Sequence, residues 1–433
     1  MNDRPDVAIV GAGFAGVTAA RELSRRDLSV VVLEGRDRIG GRTWTDTRWG
    51  RKLDMGGTWV HPTQPHVWAE IMRYDLPMTA SPTAKQCGWI VGDECIFGDD
   101  EQLDELLTLG MDHIADQSAE MFPTPYEPLA GGDQLARADA RSIAEEMQAL
   151  GLTDEQYAVA DGMWATNFSS TMEQGAFTQA VRWCALTQGD WRVLFEAISK
   201  RKLANGTKDL LDRIAADGRA EVRLDTKVTR VDAGDGGVVV EHGDGAVEAR
   251  SAIVTVPVNT LEAIEFNPGL NAGRAALAAE KQASHGSKVW VRVAGSMEPF
   301  FGYTTADHPL TLIQYEYAHE GDSILVAFGS QGETVDGTDR DAVAEAIRPW
   351  LPEAEVLDVT EHNWTRDEFA LGTWGMLKPG QLSGYGADLY RQDPPLFFAG
   401  SDIARGWSGF IDGAIETGLR SADQVATYLR GAT

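Results

Sequence analysis

The stretch Val7 to Asp37, VAIVGAGFAGVTAARELSRRDLSVVVLEGRD, limits the fold more than any other part of the chain. Four apolar residues, Val7 to Val10, predict a buried strand, and Gly11, Gly13 and Gly16 complete G-x-G-x-x-G where a helix must begin. A second apolar run, Val30 to Leu33, ends at Glu34, 18 residues past Gly16. Glycines without a Cβ let the backbone approach a pyrophosphate, whose charge then sits at the positive end of the helix. A carboxylate closing the second strand accepts hydrogen bonds from ribose hydroxyls. The glycines alone are weak evidence; strand, glycines, helix, strand and acid in this order predict a dinucleotide-binding α/β unit.

That unit leaves FAD and a nicotinamide cofactor open. Two further glycine turns decide between them. RIGGRTWT sets Arg38, Gly40, Gly41 and Arg42 directly after the second strand, a basic turn expected to face the same phosphates. LDMGGTWVHPTQ then brings Gly56 and Gly57. Three such turns in one segment suit a long dinucleotide lying extended along the protein, and FAD is the expected cofactor.

A chain of 433 residues exceeds one compact core, so two domains are expected. With 66 acidic against 38 basic residues the net charge is −28, which argues against nucleic acid or an anionic membrane as partner. Cys87, Cys95 and Cys184 have neither metal-ligand spacing nor an even disulfide count; reduced thiols in a cytoplasmic protein, with no metal, are the expectation. No run approaches the ~20 apolar residues of a membrane span, and MNDRPDVAIVGAG enters a strand too early for a signal peptide.

Residues 100–202 read as helices: DDEQLDELLTLGMDHI has apolar residues at helical spacing, and Thr153 with Gln156 predicts a capping-box start. EVRLDTKVTRVDAGDGGVVVEHGDGAVEARSAIVTVP alternates strands with Gly/Asp turns, a small antiparallel meander. SKVWVRV, LTLIQYEY and SILVAFG predict a second sheet. PLFFAGSD reads as a buried strand, and SGFIDGAIETGLRSADQVATYL as an amphipathic helix whose N-terminus faces the cofactor. LGTWGMLKPG is too broken by Gly and Pro for a helix. Neither a linker nor a repeat divides the chain, so the domains should be interleaved.

GAGFAG, LEGRDRIGGRT, DMGGTWVHPTQ and FFAGSDIARGWSGFIDGAIETG together resemble the FAD-binding signatures of the flavin-containing amine oxidases. The likeness spans essentially the whole chain, is faint between about Pro82 and Leu152, and is greatest to the bacterial 6-hydroxynicotine oxidase group. It implies an α/β fold in which a Rossmann-type FAD-binding domain (residues 1–81, 203–285 and 389–433) is interleaved with an α+β substrate domain (82–202 and 286–388). It implies that FAD contacts Gly11, Gly13, Phe14, Ala15, Gly16 and Glu34 in the first unit, and Gly41, Arg42, Gly57 and Trp59 in the next two turns. Val228, Trp364, Ser401, Asp402 and Ile411 complete that set. Thr373 stands where mitochondrial monoamine oxidases carry the cysteine bonded to flavin, so a noncovalent FAD is expected.

The same resemblance implies that Trp374 and Phe410 stand roughly perpendicular to the flavin as the walls of a slot for the amine. With 13 tryptophans in the chain, spacing rather than residue type singles out Trp364 and Trp374. Lys288 matches the lysine that holds a water against flavin N5, where an ammonium also favours electron transfer to oxygen. Asn167, Tyr315 and Phe328 match positions lining the substrate cavity. The implied reaction moves a hydride from the carbon beside nitrogen to flavin N5, leaving an iminium that water hydrolyses, with O2 reduced to H2O2. Phe410 departs from the hydroxynicotine oxidases, which have tyrosine there, and the RGW before it differs too; this puts the same substrate in doubt. L-amino-acid oxidases carry an arginine where this chain has Trp59, polyamine oxidases line their tunnel with acids, and a flavin scaffold without turnover would not need the aromatic pair. A small cyclic or aromatic amine is the expected substrate. The amine's identity, its stereochemistry and a possible homodimer stay open.

Overall fold

The computed structural model describes residues 4–243 and 245–431. Residues 1–3 and 432–433, at the ends of the segments expected around the cofactor, and Asp244 in the expected meander lie outside the described residues.

Val7–Val10 is the middle strand of a five-stranded parallel sheet, in the order Leu396–Phe398, Ser251–Val254, Val7–Val10, Val30–Leu33 and Glu221–Arg223. Parallel strands covered on both faces need no polar alternation, and Val7–Val10 and Val30–Leu33 are buried at every position. Helix Phe14–Ser24 starts directly after the glycine turn, with Gly13 as N-cap, no side-chain cap and no acid in its first turn. Its free N–H groups are therefore left for a ligand.

The meander folds as expected, Gly245–Ala249, Gly237–His242 and Val228–Gly234 pairing antiparallel, while Glu265–Asn267 adds a parallel edge. A seven-stranded sheet runs Val356–Glu361, Ser287–Val293, Asp322–Gly329, Leu312–His319, Phe300–Tyr303, Gln86–Val91 and Glu94–Gly98. Its register sets Lys288 opposite Phe328 and Phe328 opposite Leu312; the next row holds Trp290, Val326, Gln314 and Phe301. Helices cover residues 100–199 for the most part, and Thr153 caps helix Asp154–Phe168 in a complete capping box with Gln156. Helix Ile411–Gly431 packs along Phe14–Ser24. Among the described residues no helix is long and apolar enough to cross a membrane, and Cys87, Cys95 and Cys184 are free.

A buried ion pair locks the first helix to its neighbour. Arg21, fully buried, donates from Nη1 and Nη2 to the two carboxylate oxygens of Glu70 on helix Pro65–Arg73, at 2.5 and 2.7 Å, and from Nη1 to Tyr74 Oη at 3.0 Å. Removing one partner strands a buried charge. Arg21→Met is expected to cost about 3–5 kcal/mol in chemical denaturation, and Arg21→Met with Glu70→Leu to recover most of it.

Candidate active site

The three glycine turns converge beyond the carboxyl ends of the parallel strands, where open α/β sheets bind ligands. They border a cavity of about 900 Å³ that continues to the seven-stranded sheet. Gly13 and Gly41 face each other there: a Cβ on Gly41, whose φ is +57°, would lie 3.5 Å from Gly13 Cα. Gly16 serves from behind, since a Cβ on it would lie 2.0 Å from Gly11 O. Phe14, Ala15, Gly57 and Val228 line the cavity as well. Glu34 is buried and accepts Ala12 N–H at 2.7 Å and Arg36 N–H at 3.0 Å, leaving lone pairs on both oxygens for further donors.

The basic turn behaves differently from the sequence expectation. Arg38 is turned from the cavity and donates to the carbonyls of Ile39, Gly41 and Thr43 at 3.2–3.3 Å, its guanidinium 4.9 Å from the Trp44 ring. Glycines bring no side-chain donors, so the loop's carbonyls need partners from elsewhere, and Arg38 supplies them. Burial pushes this guanidinium down to about 10, with Arg36 adding to the effect. Arg42 does border the cavity, yet its guanidinium is spent on Thr373 O at 2.8 Å, Ser401 Oγ at 2.9 Å and the Asp402 carboxylate. Asp402 also accepts Val258 N–H at 3.0 Å and lies behind the wall that Ser401 and Ile411 form.

The residues present fit FAD. An uncapped helix N-terminus, glycine backbones and Glu34 stand at one end. Further along, Ser287 and Thr373 line the cavity, and among the described residues their hydroxyl oxygens are buried and without a hydrogen-bond partner. Buried hydroxyls are rarely left so unless a ligand meets them. Trp364 is fixed by donating to Met55 O at 2.9 Å, and Trp59 by donating to Ser81 Oγ at 3.1 Å; both face the cavity.

Lys288 lies on the cavity wall with all three ammonium protons directed at protein oxygens: Asp54 O at 2.7 Å, Gly56 O at 2.9 Å and Thr58 Oγ1 at 2.6 Å. Burial pushes its pKa down to about 8, the nearby Asp54 and Glu316 carboxylates raising it and the Lys202 ammonium lowering it. A water held by this ammonium would have to replace one of the three contacts. Trp374 and Phe410 both border the cavity. Trp374 donates to Asn167 O at 2.9 Å. Phe410 is held edge-on by Trp183 and Trp407, with centroids at 5.2 and 5.0 Å. Asn167 donates one side-chain amide N–H to Met163 O at 2.8 Å, which leaves Oδ1 and the second N–H without a protein partner among the described residues.

Phe328 lines the cavity and Tyr315 does not. Tyr315 points to the opposite face of the large sheet, among Val289, Ile313 and Leu325. The cause is the period of two in a strand: Leu312 and Gln314 face the cavity, so Ile313 and Tyr315 cannot. Gln314 was missed. The alternation in LIQYEY held the signal, since Gln314 and Glu316 share a face in a run of apolar residues. Leu103, Leu107 and Phe195, at a further end of the cavity, gave no such signal, because a helical apolar stripe reads only as core.

The model of the family described as flavin containing amine oxidoreductase matches residues 14–426. A pseudooxynicotine dehydrogenase of Pseudomonas sp is 35% identical over 434 residues, covering 98% of this chain and 87% of that one. The (S)-6-hydroxynicotine oxidase of Paenarthrobacter nicotinovorans is 29% identical, covering 95% and 97%. Among solved structures, a wild-type putrescine oxidase bound to putrescine superposes with a TM-score of 0.83 at 26% identity, covering 98% of this chain and 99% of that chain.

The two central glycines should separate folding from cofactor binding. Gly16→Ala forces a Cβ into a backbone carbonyl and is expected to destabilise the apoprotein by about 1–3 kcal/mol. A Cβ on Gly13 would meet nothing closer than 3.9 Å. Gly13→Ala should therefore leave the melting temperature of the apoprotein unchanged and lower the flavin-to-protein ratio, read from the visible spectrum.

Proposed function

The chain belongs to the flavin-containing amine oxidoreductases, with FAD as its cofactor, and from that premise we propose that it oxidises a small cyclic or aromatic amine with O2 as electron acceptor and H2O2 as product. The supporting observation is the course of the cavity: it runs from the G-x-G-x-x-G turn to the aromatic pair Trp374 and Phe410, with Lys288 buried in its wall. Bound FAD supplies the acceptor for the hydride leaving the carbon beside nitrogen.

The chain's own residues supply the rest. Trp374 and Phe410 confine the amine between apolar walls, and the bond from Trp374 to Asn167 O keeps one wall from rotating. The aromatic faces accept an amine in either charge state, while the departing hydride requires the neutral form, so the rate rises as pH approaches the bound amine's pKa. Lys288 Nζ holds a positive charge where oxygen gains negative charge, and its three fixed oxygens keep that charge in place without reorganisation. Thr373 cannot form a thioether, so the FAD is noncovalent and acid precipitation should release all of it. We infer that residues 1–81, 203–285 and 389–433 form the cofactor domain and 82–202 and 286–388 the substrate domain, in a cytoplasmic protein.

Anaerobic bleaching by cyclic secondary amines, aryl-alkylamines and nicotine-type rings, followed by admission of air, tests the activity and the acceptor together. Bleaching by none of them removes the amine reading. Recovery that needs an added electron carrier removes O2 as acceptor. Lys288→Met is expected to slow reoxidation about a hundredfold and to affect flavin reduction less. With the folded-state value near 8, the ammonium is lost as pH rises, so wild-type reoxidation should fall through about pH 8 while the variant stays flat.

A further inference from the structure

One wall of the cavity carries a buried polar chain that FAD binding leaves unexplained. Lys202 and Glu316, each 2% exposed, form an ion pair between strands Arg201–Leu203 and Leu312–His319. Lys202 Nζ also donates to Tyr317 Oη at 3.0 Å. The other carboxylate oxygen of Glu316, Oε1, accepts Ser81 Oγ at 2.9 Å and Gln314 Nε2 at 2.8 Å. Ser81 in turn accepts Trp59 Nε1.

The chain dictates how Gln314 is oriented. A carboxylate only accepts, so the amide nitrogen of Gln314 must face Glu316 and its oxygen must point away. Turning the amide over would set Gln314 Oε1 against the carboxylate. Among the described residues no protein group donates to Gln314 Oε1, and the atom is not sealed from the cavity that Gln314 lines. Gln314 lies two strands and two residues from Lys288, roughly 12 Å between Cα atoms at ordinary sheet spacings.

We propose that Gln314 is a specificity residue: its Oε1 accepts a hydrogen bond from a hydroxyl, ammonium or amide N–H carried by the substrate away from the carbon that is oxidised. The inference rests on the amine oxidation proposed above. Glu316, Ser81 and Lys202 are positioning residues that hold the amide in its accepting orientation. An amine whose distal atom offers only a lone pair, such as a pyridine nitrogen, makes no hydrogen bond to Gln314 Oε1 and gains nothing from it.

The test uses the FAD-loaded full chain and two matched series: ω-amino alcohols of increasing length, and the alkylamines in which CH3 replaces OH. The wild type should favour the best-fitting amino alcohol by about tenfold or more in kcat/KM. Gln314→Leu should erase that preference through the KM of the alcohols and leave alkylamine turnover in place. Glu316→Gln removes the constraint on the amide; the preference should shrink and pyridylalkylamines should gain. Equal wild-type kcat/KM for the two series, with flavin bleached by both, overturns the inference and leaves amine oxidation standing. A preference that survives in Gln314→Leu overturns it likewise. If the flavin is bleached by neither series nor by pyridylalkylamines while a cyclic secondary amine bleaches it, this inference is overturned and amine oxidation stands; bleaching by no amine at all removes both. Should Gln314→Leu not fold, the wild-type ratio and Glu316→Gln decide.

Discussion

Arg42 is the interaction on which the site depends. Its guanidinium binds Thr373 O, Ser401 and Asp402 from a loop more than 300 residues earlier in the chain, and Asp402 passes the tie on to Val258 N–H. Four distant segments are thereby held to one point: the glycine turn, the segment bearing Trp374, the C-terminal strand end and the loop after Ser251–Val254. The pair is largely shielded from water, where a charge-assisted bond is strongest and a lost partner most costly. The positive charge of the turn is spent on architecture. The helix N-terminus, without a side-chain cap, is left as the positive end that would meet the phosphates of bound FAD.

The same economy governs the cavity's far wall. Lys288 and Lys202 are both buried, and each is compensated in its own way. Lys202 has a carboxylate. Lys288 has two backbone carbonyls and a hydroxyl, which satisfy its protons without neutralising its charge. Burial therefore depresses its proton affinity, and a usable positive charge persists in an apolar cavity. The Glu316–Lys202 pair, neutral as a unit, does a different job by fixing the direction of an amide.

Local rules carried the sequence a long way. Val7–Val10, Val30–Leu33 and Ser287–Val293 have the expected limits because an apolar run between turn residues has few other solutions. Thr153 and Gln156 start a helix because their cap is a contact within one turn. Arg38 and Tyr315 show where local rules stop. Arg38 looked like a phosphate ligand and satisfies its own loop, since the competing acceptors are carbonyls that no composition reveals. Tyr315 matched a cavity position and faces the other way, since strand parity depends on which neighbour the strand meets.

By itself the sequence determined the dinucleotide unit and the succession of elements, both written in short-range spacing. Tertiary structure alone decided that Arg42 would act as a tie, that the buried hydroxyls of Ser287 and Thr373 would have no partner among the described residues, and that Gln314 rather than Tyr315 would face the cavity. Each of those outcomes depends on partners far away in the chain. The pairing register of strands and the burial of polar atoms are properties of the assembled sheets, and no window of local sequence contains them.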